Sequence, residues 1–335
     1  MNLAPLVEVT RGANGVDTVE CVHYGSVAVV DAQGRLQYAA GDPTFLTFSR
    51  STLKPFQALP FVEGDGVAHF GLTQSELALL CASHSGETFH VDGVRSLLSK
   101  AGCDEHHLQC GCHTPTFYSA TGKRPPVDLK PTSLHHNCSG KHAGFLAYCA
   151  QHGLPLETYL DPAHPLQQAI RARVGEVVGV KGDMLPLGTD GCSAPNYALP
   201  LDKLAGAYAR LAASDDAALS TLFAAMTQQP EMVSGTGRND LAFMRMAPGD
   251  WVAKIGADGV QTIGVRSAGL GIAIKVVDGN MRALYTAAVA VLKALGLVES
   301  PESTGLAPWV APVIKNARGI HTGVVRPVVE LKRVA

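Results

Sequence analysis

Phe48-Ser49-Arg50-Ser51-Thr52-Leu53-Lys54-Pro55 is the stretch on which the reading of this chain turns. Within it, Ser51 and Lys54 form a Ser-x-x-Lys tandem. If Ser51 opens a helix, Lys54 stands one turn along the same face, where its amine can reach the serine oxygen. A serine hydroxyl becomes a useful nucleophile when a neighbouring base takes its proton, and a lysine does this only as the free amine. Arg50 supplies a second fixed positive charge beside Lys54, which disfavours protonation of that lysine. By residue abundance alone, a chain of this length holds Ser-x-x-Lys about once. The tandem therefore means little until partners are found for it.

N-terminal to the tandem, period-two alternation predicts strands over Val7–Thr10, Glu20–Val30 and Leu36–Ala39, with a turn at Asp31-Ala32-Gln33-Gly34. Asp42-Pro43 ends that meander, and Pro55 is tolerable because it falls in the first turn of the Ser51 helix. C-terminal to it, 64–71 reads as a loop, and Thr73-Gln74-Ser75-Glu76 is a capping box opening a helix that ends at Ala82-Ser83-His84-Ser85-Gly86-Glu87. Further helices are expected over 87–100, from Ser139 to His152, over Pro165–Val178 and through the Ala-rich run 201–226. Loops are expected over 103–131 and 187–199. Strands return at Val252–Gly256, Val260–Val265 and Gly271–Val277. A helix over Arg282–Leu295 and a last strand near Gly323–Val329 follow. The economical architecture is α/β (α+β). One sheet is built from both termini, with lobe boundaries at 1–48 plus 250–335, and a mainly helical lobe, 49–249, is inserted between them. No internal repeat or low-complexity tract interrupts it.

The bulk numbers fit a globular chain. Of 335 residues, 46% are hydrophobic, and 27 Lys and Arg against 29 Asp and Glu leave a formal charge of −2. With no basic stripe, nucleic acid is not an expected partner. The N-terminus lacks a basic segment followed by an apolar core, and the longest apolar run, Ala283–Val298, is broken by Lys293 and short for a bilayer. A cytoplasmic protein with no membrane partner is expected. In that setting the eight cysteines are expected as thiols.

Four more clusters carry chemistry. Ser83-His84-Ser85 sits at a helix end, where such residues also serve merely to satisfy carbonyls. Asn137-Cys138-Ser139-Gly140-Lys141-His142 brings a Gly, a Lys and a Cys to a helix start, which a plain Ser cap would also explain. Gly188-Thr189-Asp190-Gly191-Cys192-Ser193 reads as a turn. Lys254-Ile255-Gly256 lies on a strand. Enzymes of the penicillin-recognising type combine a Ser-x-x-Lys helix, a Ser-bearing loop and a Lys-x-Gly strand in that order, and the order here is the same, with Ser83 or Ser139 as the loop serine. For metal, Cys103, His106, His107, Cys110, Cys112 and His113 are dense but lack paired Cys-x-x-Cys spacing, and no zinc-deaminase pattern is present.

These motifs together resemble the bacterial asparaginase II family, the thermolabile or rhizobial type of L-asparaginase. The resemblance rests on Arg50 to Pro55, Glu76-Leu77-Ala78 through Glu87, Asn137 to His142, Thr189-Asp190-Gly191-Cys192, Lys254 to Gly259 and Lys275 to Gly279, and so extends over nearly the whole chain. It implies a fold similar to serine β-lactamases and glutaminases, hydrolysis of L-asparagine to L-aspartate and ammonia, and a homodimer. It also implies two Ser-Lys pairs, Ser51 with Lys54 and Ser83 with Lys254, and a zinc ion held by Cys138, Lys141 and Cys192. Arg50, His142 and Asp190 fall at matching active-site positions, where Arg50 and Asp190 would fix the substrate's α-carboxylate and α-ammonium. Cys112 departs from the family pattern, and no role is assigned to Cys103, Cys110 or Cys112.

The expected chemistry is acyl transfer. Lys54 takes the Ser51 proton, the serine attacks the side-chain amide, ammonia leaves and water cleaves the acyl-enzyme, with Ser83 and Lys254 relaying protons. Which of Ser51 and Ser83 attacks, the preference for asparagine over glutamine, and whether zinc is catalytic or structural stay open. Two rivals remain: another serine acyl-hydrolase of the penicillin-recognising fold, and a zinc-dependent binding protein without catalysis.

Overall fold

Strand-forming runs at the two ends of the chain find each other in a computed structural model that describes residues 2–13 and 16–334. The strands are β1 (Ala4–Ala13), β2 (Val16–Asp31), β3 (Leu36–Ala40), β4 (Leu46–Phe48), β5 (Leu187–Thr189), β6 (Pro195–Pro200), β7 (Trp251–Gly256), β8 (Val260–Val265), β9 (Leu270–Val276), β10 (Val313–Lys315), β11 (His321–Pro327) and β12 (Lys332–Arg333). The main sheet runs β10-β11-β1-β2-β9-β8-β7, with β3 on β2 and β12 on β3. Its pairings are antiparallel; Ala28 stands opposite Ala273, and Thr262 lies between Ala273 and Lys254. Chain entry and chain exit thus share one sheet, with residues 49–249 between them. That is the mixed α/β arrangement expected, with a sheet from both termini.

Helices cover the two faces of the sheet. Leu201–Ala213 packs on β2, β8 and β9, and Met281–Ala294 on β1, β9 and β11. Strands β7 and β8 are buried along their length, as is β9 after Leu270. The first helix presents a small-residue face that includes Ala205 and Ala209. It comes so close that a Cβ at Gly271 would stand 1.9 Å from the Ala205 carbonyl oxygen. Only glycine leaves room there.

Several expected elements change on folding. The Ala-rich run is two helices, Leu201–Ala213 and Ala217–Gln228, and the second is capped by Asp216, whose carboxylate accepts from the backbone of Ala218 and Leu219. The stretch read as a loop over 64–71 contains a helical turn, Gly66–His69. The loop expected over 187–199 contains β5 and β6, which join β4 in a three-stranded sheet. Pro195 to Leu199 are all buried, so that strand has no alternation to reveal it.

The Ser51 segment differs most. Arg50–Leu53 is a 3-10 turn and the α-helix begins only at Lys54. Arg50 is the reason: its φ is +51°, a left-handed conformation that an L side chain adopts at a cost of about 1–3 kcal/mol. Asn196 holds it there, accepting from the Arg50 N–H (3.1 Å) and donating to the Arg50 carbonyl (3.1 Å). The strained turn lifts Ser51 toward open space, and Tyr208 of the sheet-covering helix braces it by donating to the Thr52 carbonyl (2.8 Å).

Candidate functional site

The two predicted Ser-Lys pairs come together, with a different pairing at their centre. Lys54 Nζ donates to Ser83 Oγ (2.9 Å) and to the carbonyls of Ala82 (2.5 Å) and Asn137 (3.4 Å). Lys254 Nζ donates to the same Ser83 Oγ (2.7 Å) and to the Ile255 carbonyl (2.9 Å). Ser83 is therefore clamped between two buried amines. No hydrogen bond joins Ser51 to Lys54 among the described residues. The one-turn helical spacing that predicted such a bond is lost because Ser51 lies in the 3-10 turn. Ser51 instead lines a cavity of about 450 Å³ together with Ser83, Asn137, Arg238, Ile255 and Trp309.

Each part of the clamp has a local cause. Ser83 follows the capping-box helix Gln74–Leu80, and its N–H donates to the Val233 carbonyl (2.9 Å). Lys254 sits on β7, whose Gly256 lets the strand run close to the Ser51 turn: a Cβ there would stand 3.0 Å from the Ser49 carbonyl oxygen. Burial pulls the Lys254 amine down to about pKa 7, with nearby Lys54 and Arg238 pushing the same way and Asp240 opposing. Asp240 Oδ2 lies 4.0 Å from that amine and accepts from the Ile255 N–H (2.8 Å). An amine near pKa 7 can hold or release a proton at neutral pH, which is what general acid–base work requires.

The residues expected to hold metal also converge. Lys141 Nζ stands 3.1 Å from Cys192 Sγ, and all three of Cys138, Lys141 and Cys192 are buried. Contact with Cys138 and the Lys141 charge favour ionised Cys192 against the cost of burial, while the same contact pushes the Cys138 thiol up. Burial works against the Lys141 charge, but the two sulfurs and Asp190 more than reverse it. The His142 imidazole is buried beside Cys192 and interacts with that sulfur, and its Nδ1 shares a hydrogen bond with the Tyr159 hydroxyl (2.6 Å). Among the described residues no three His, Cys, Asp or Glu side chains are grouped to hold a metal. Here the third donor is a lysine. Two soft sulfurs and an amine form a donor set whose chemistry fits a zinc ion.

Arg50 and Asp190 meet each other. Arg50 Nε donates to Asp190 Oδ1 (2.9 Å), and its Nη1 pairs with Asp258. Neither Arg50 nor Asp190 is on the wall of the cavity over Ser51, and His142 lies with the thiols and is not on that wall either. Of the cysteines without an expected role, Cys110 is buried and pushed up to about pKa 12, chiefly by burial and also by the neighbouring Cys192, while Cys112 is exposed. Sequence reasoning missed Asp240, Asn196, Asp258 and Arg238. The only trace of two of them was a charged Arg238-Asn239-Asp240 run after a Gly-rich loop.

The family model described as L-asparaginase II matches residues 7–327. No curated protein matches the chain. Among solved structures, a β-lactamase from Mycobacterium bovis aligns at 14% identity and a TM-score of 0.34, covering 81% of this chain and 94% of that one. A putative β-lactamase from Bacteroides dorei aligns at 13% identity and a TM-score of 0.39, covering 80% and 92%.

Proposed function

The chain belongs to the L-asparaginase II family, a family of hydrolases, and on that premise we propose that it hydrolyses L-asparagine to L-aspartate and ammonia through a serine acyl-enzyme. The observation that carries the proposal is the double clamp of Ser83 by Lys54 and Lys254 beside a Ser51 hydroxyl that lines the cavity. Ser51 attacks the side-chain carbonyl. Lys54, which makes no hydrogen bond to Ser51 before substrate binds, must give up one of its three acceptors and close on the Ser51 hydroxyl as the free amine; the proton then passes through the Ser83 hydroxyl, which accepts from one amine as it donates to the other, and reaches the departing nitrogen. Lys254, near pKa 7, sets the protonation of that relay. Water then enters and the relay runs in reverse to release aspartate.

Cys138, Cys192 and Lys141 would hold a zinc ion next to this relay, since Asn137 joins the set to both Lys54 and the cavity wall. Such an ion supplies a fixed positive charge there, and it requires Lys141 as the free amine and both sulfurs ionised. Arg50 and Asp190, in this reading, fix the strained turn that presents Ser51.

A second reading makes Ser83 the nucleophile, favoured by its direct contact with both amines. Its burial opposes this, because only about 3% of Ser83 is exposed while Ser51 is half-buried. Ammonia release from L-asparagine and L-glutamine by the wild-type protein and by Ser51→Ala tests the proposal. It expects release from asparagine, lost by about a thousandfold or more in the variant. Wild-type-like turnover by Ser51→Ala would refute it, and nitrocefin cleavage without ammonia release would favour a different acyl-hydrolase.

A further inference from the structure

The cavity over Ser51 has one charged residue in its wall, Arg238, and no Asp or Glu. Arg238 is half-buried, and its Nη1 donates to Thr116 Oγ1 (3.1 Å). Among the described residues no carboxylate lies within ion-pair distance of it. Arg50, by contrast, is spent on Asp190 and Asp258. The loop that delivers Arg238 is held by other means. Gly235 and Gly237 have φ of +123° and +75°, and a Cβ at Gly237 would stand 2.9 Å from the Ala120 carbonyl oxygen. The Thr236 N–H (2.9 Å) and hydroxyl (2.8 Å) both donate to the Glu87 carboxylate. The guanidinium is thus presented to the cavity by a pinned backbone, with donors left over.

A guanidinium with free donors in a partly apolar cavity is suited to a carboxylate, which it can bind through two parallel hydrogen bonds. We propose that Arg238 is the specificity-determining residue of this site, binding the α-carboxylate of the substrate while the amide carbonyl meets Ser51. The inference rests on the amidase reading above and adds a substrate class: amides that carry a carboxylate a few bonds from the reacting carbonyl. Because the wall holds no acidic residue, the α-ammonium finds no ion pair there, and the site tolerates its loss.

The test compares wild type, Arg238→Ala, Arg238→Lys and Arg50→Ala on three amides: L-asparagine, succinamic acid, which lacks the amino group, and L-aspartic diamide, which lacks the carboxylate. Arg238→Ala is expected to raise KM for the first two by roughly 10–100-fold, the worth of a charged hydrogen bond, with kcat within a few-fold. Its kcat/KM for the diamide stays unchanged, and Arg238→Lys recovers part of the loss. Equal losses on asparagine and diamide, or the selective KM effect in Arg50→Ala instead, overturn the inference. Calorimetric titration with succinate reads it apart from turnover. Wild type binds and Arg238→Ala binds at least about tenfold more weakly; equal binding, or none by wild type, overturns it. Absence of ammonia release from asparagine by wild type sinks the amidase reading alone.

Discussion

Replacing Asp240 by asparagine isolates the electrostatics of the relay. Asp240 Oδ2 stands 4.0 Å from Lys254 Nζ, and both side chains are buried. Two unit charges at that separation interact by about 4 kcal/mol at an effective dielectric constant near 20. That energy equals about three pH units, an upper value because the surroundings relax. The sign follows from which form of Lys254 the carboxylate favours. Asp240 favours the ammonium, so its removal lowers the pKa of an amine already brought down to about 7 by burial. Asparagine keeps the shape and can still accept from the Ile255 N–H, but its amide then faces Gln261 Nε2, which donates to Asp240 at 3.0 Å, so either that contact is lost or the glutamine amide turns over and gives up the hydrogen bond it accepts from Asn239 Nδ2 (2.8 Å). The cost to stability is on the order of 1–3 kcal/mol. The assay is kcat/KM for L-asparagine against pH, with a thermal melt to show that both proteins are folded. If free Lys254 is needed, activity in the wild type rises with pH through about 7. In Asp240→Asn the same rise falls roughly one to three units lower, on a reduced plateau because a weaker base accepts a proton less readily. A limb that stays in place, or moves up, would refute the assignment of Lys254 to the relay.

Two further outcomes are expected. Gly271→Ala places a methyl group 1.9 Å from the Ala205 carbonyl oxygen, so the helix over the sheet must shift. The loss should reach the upper end of about 1–3 kcal/mol and lower Tm by roughly 5 °C or more; an unchanged melt would mean that the close approach is wrong. Cys192→Ser removes the sulfur that both Cys138 and Lys141 approach. Zinc measured on purified protein should drop from about one per chain to near none, and wild type without zinc would exclude the metal reading.

Elements bracketed by tight turns were legible from residues alone. Val260–Val265 is a strand with the bounds expected, and Met281–Ala294 starts one residue earlier than its pattern suggests. Both lie between turns with strong chemistry, such as Asp278-Gly279-Asn280. Strand β6 was not legible, because burial on every residue removes the alternation that marks a strand. The left-handed Arg50 was hidden as well. Its conformation is imposed by Asn196, almost 150 positions away, and no local propensity encodes it. The same holds for the site. Each lysine was visible as a candidate, but Lys54 and Lys254 meet on Ser83 only because the sheet brings β7 beside the Ser51 turn. Cys138, Lys141 and Cys192 entered through a family resemblance, since two ligands from separate turns and a lysine obey no spacing rule. Arg238 and Asp240 had no signature beyond an unremarkable charged helix start.

The most direct test of the proposed chemistry is the mass of active-site peptides from enzyme quenched during turnover of L-asparagine. A β-aspartyl ester is expected on the peptide carrying Ser51, absent in Ser51→Ala and formed more slowly in Ser83→Ala, where the relay is broken in both steps. An ester on Ser83, or brisk ammonia release with no ester on any serine, would contradict it.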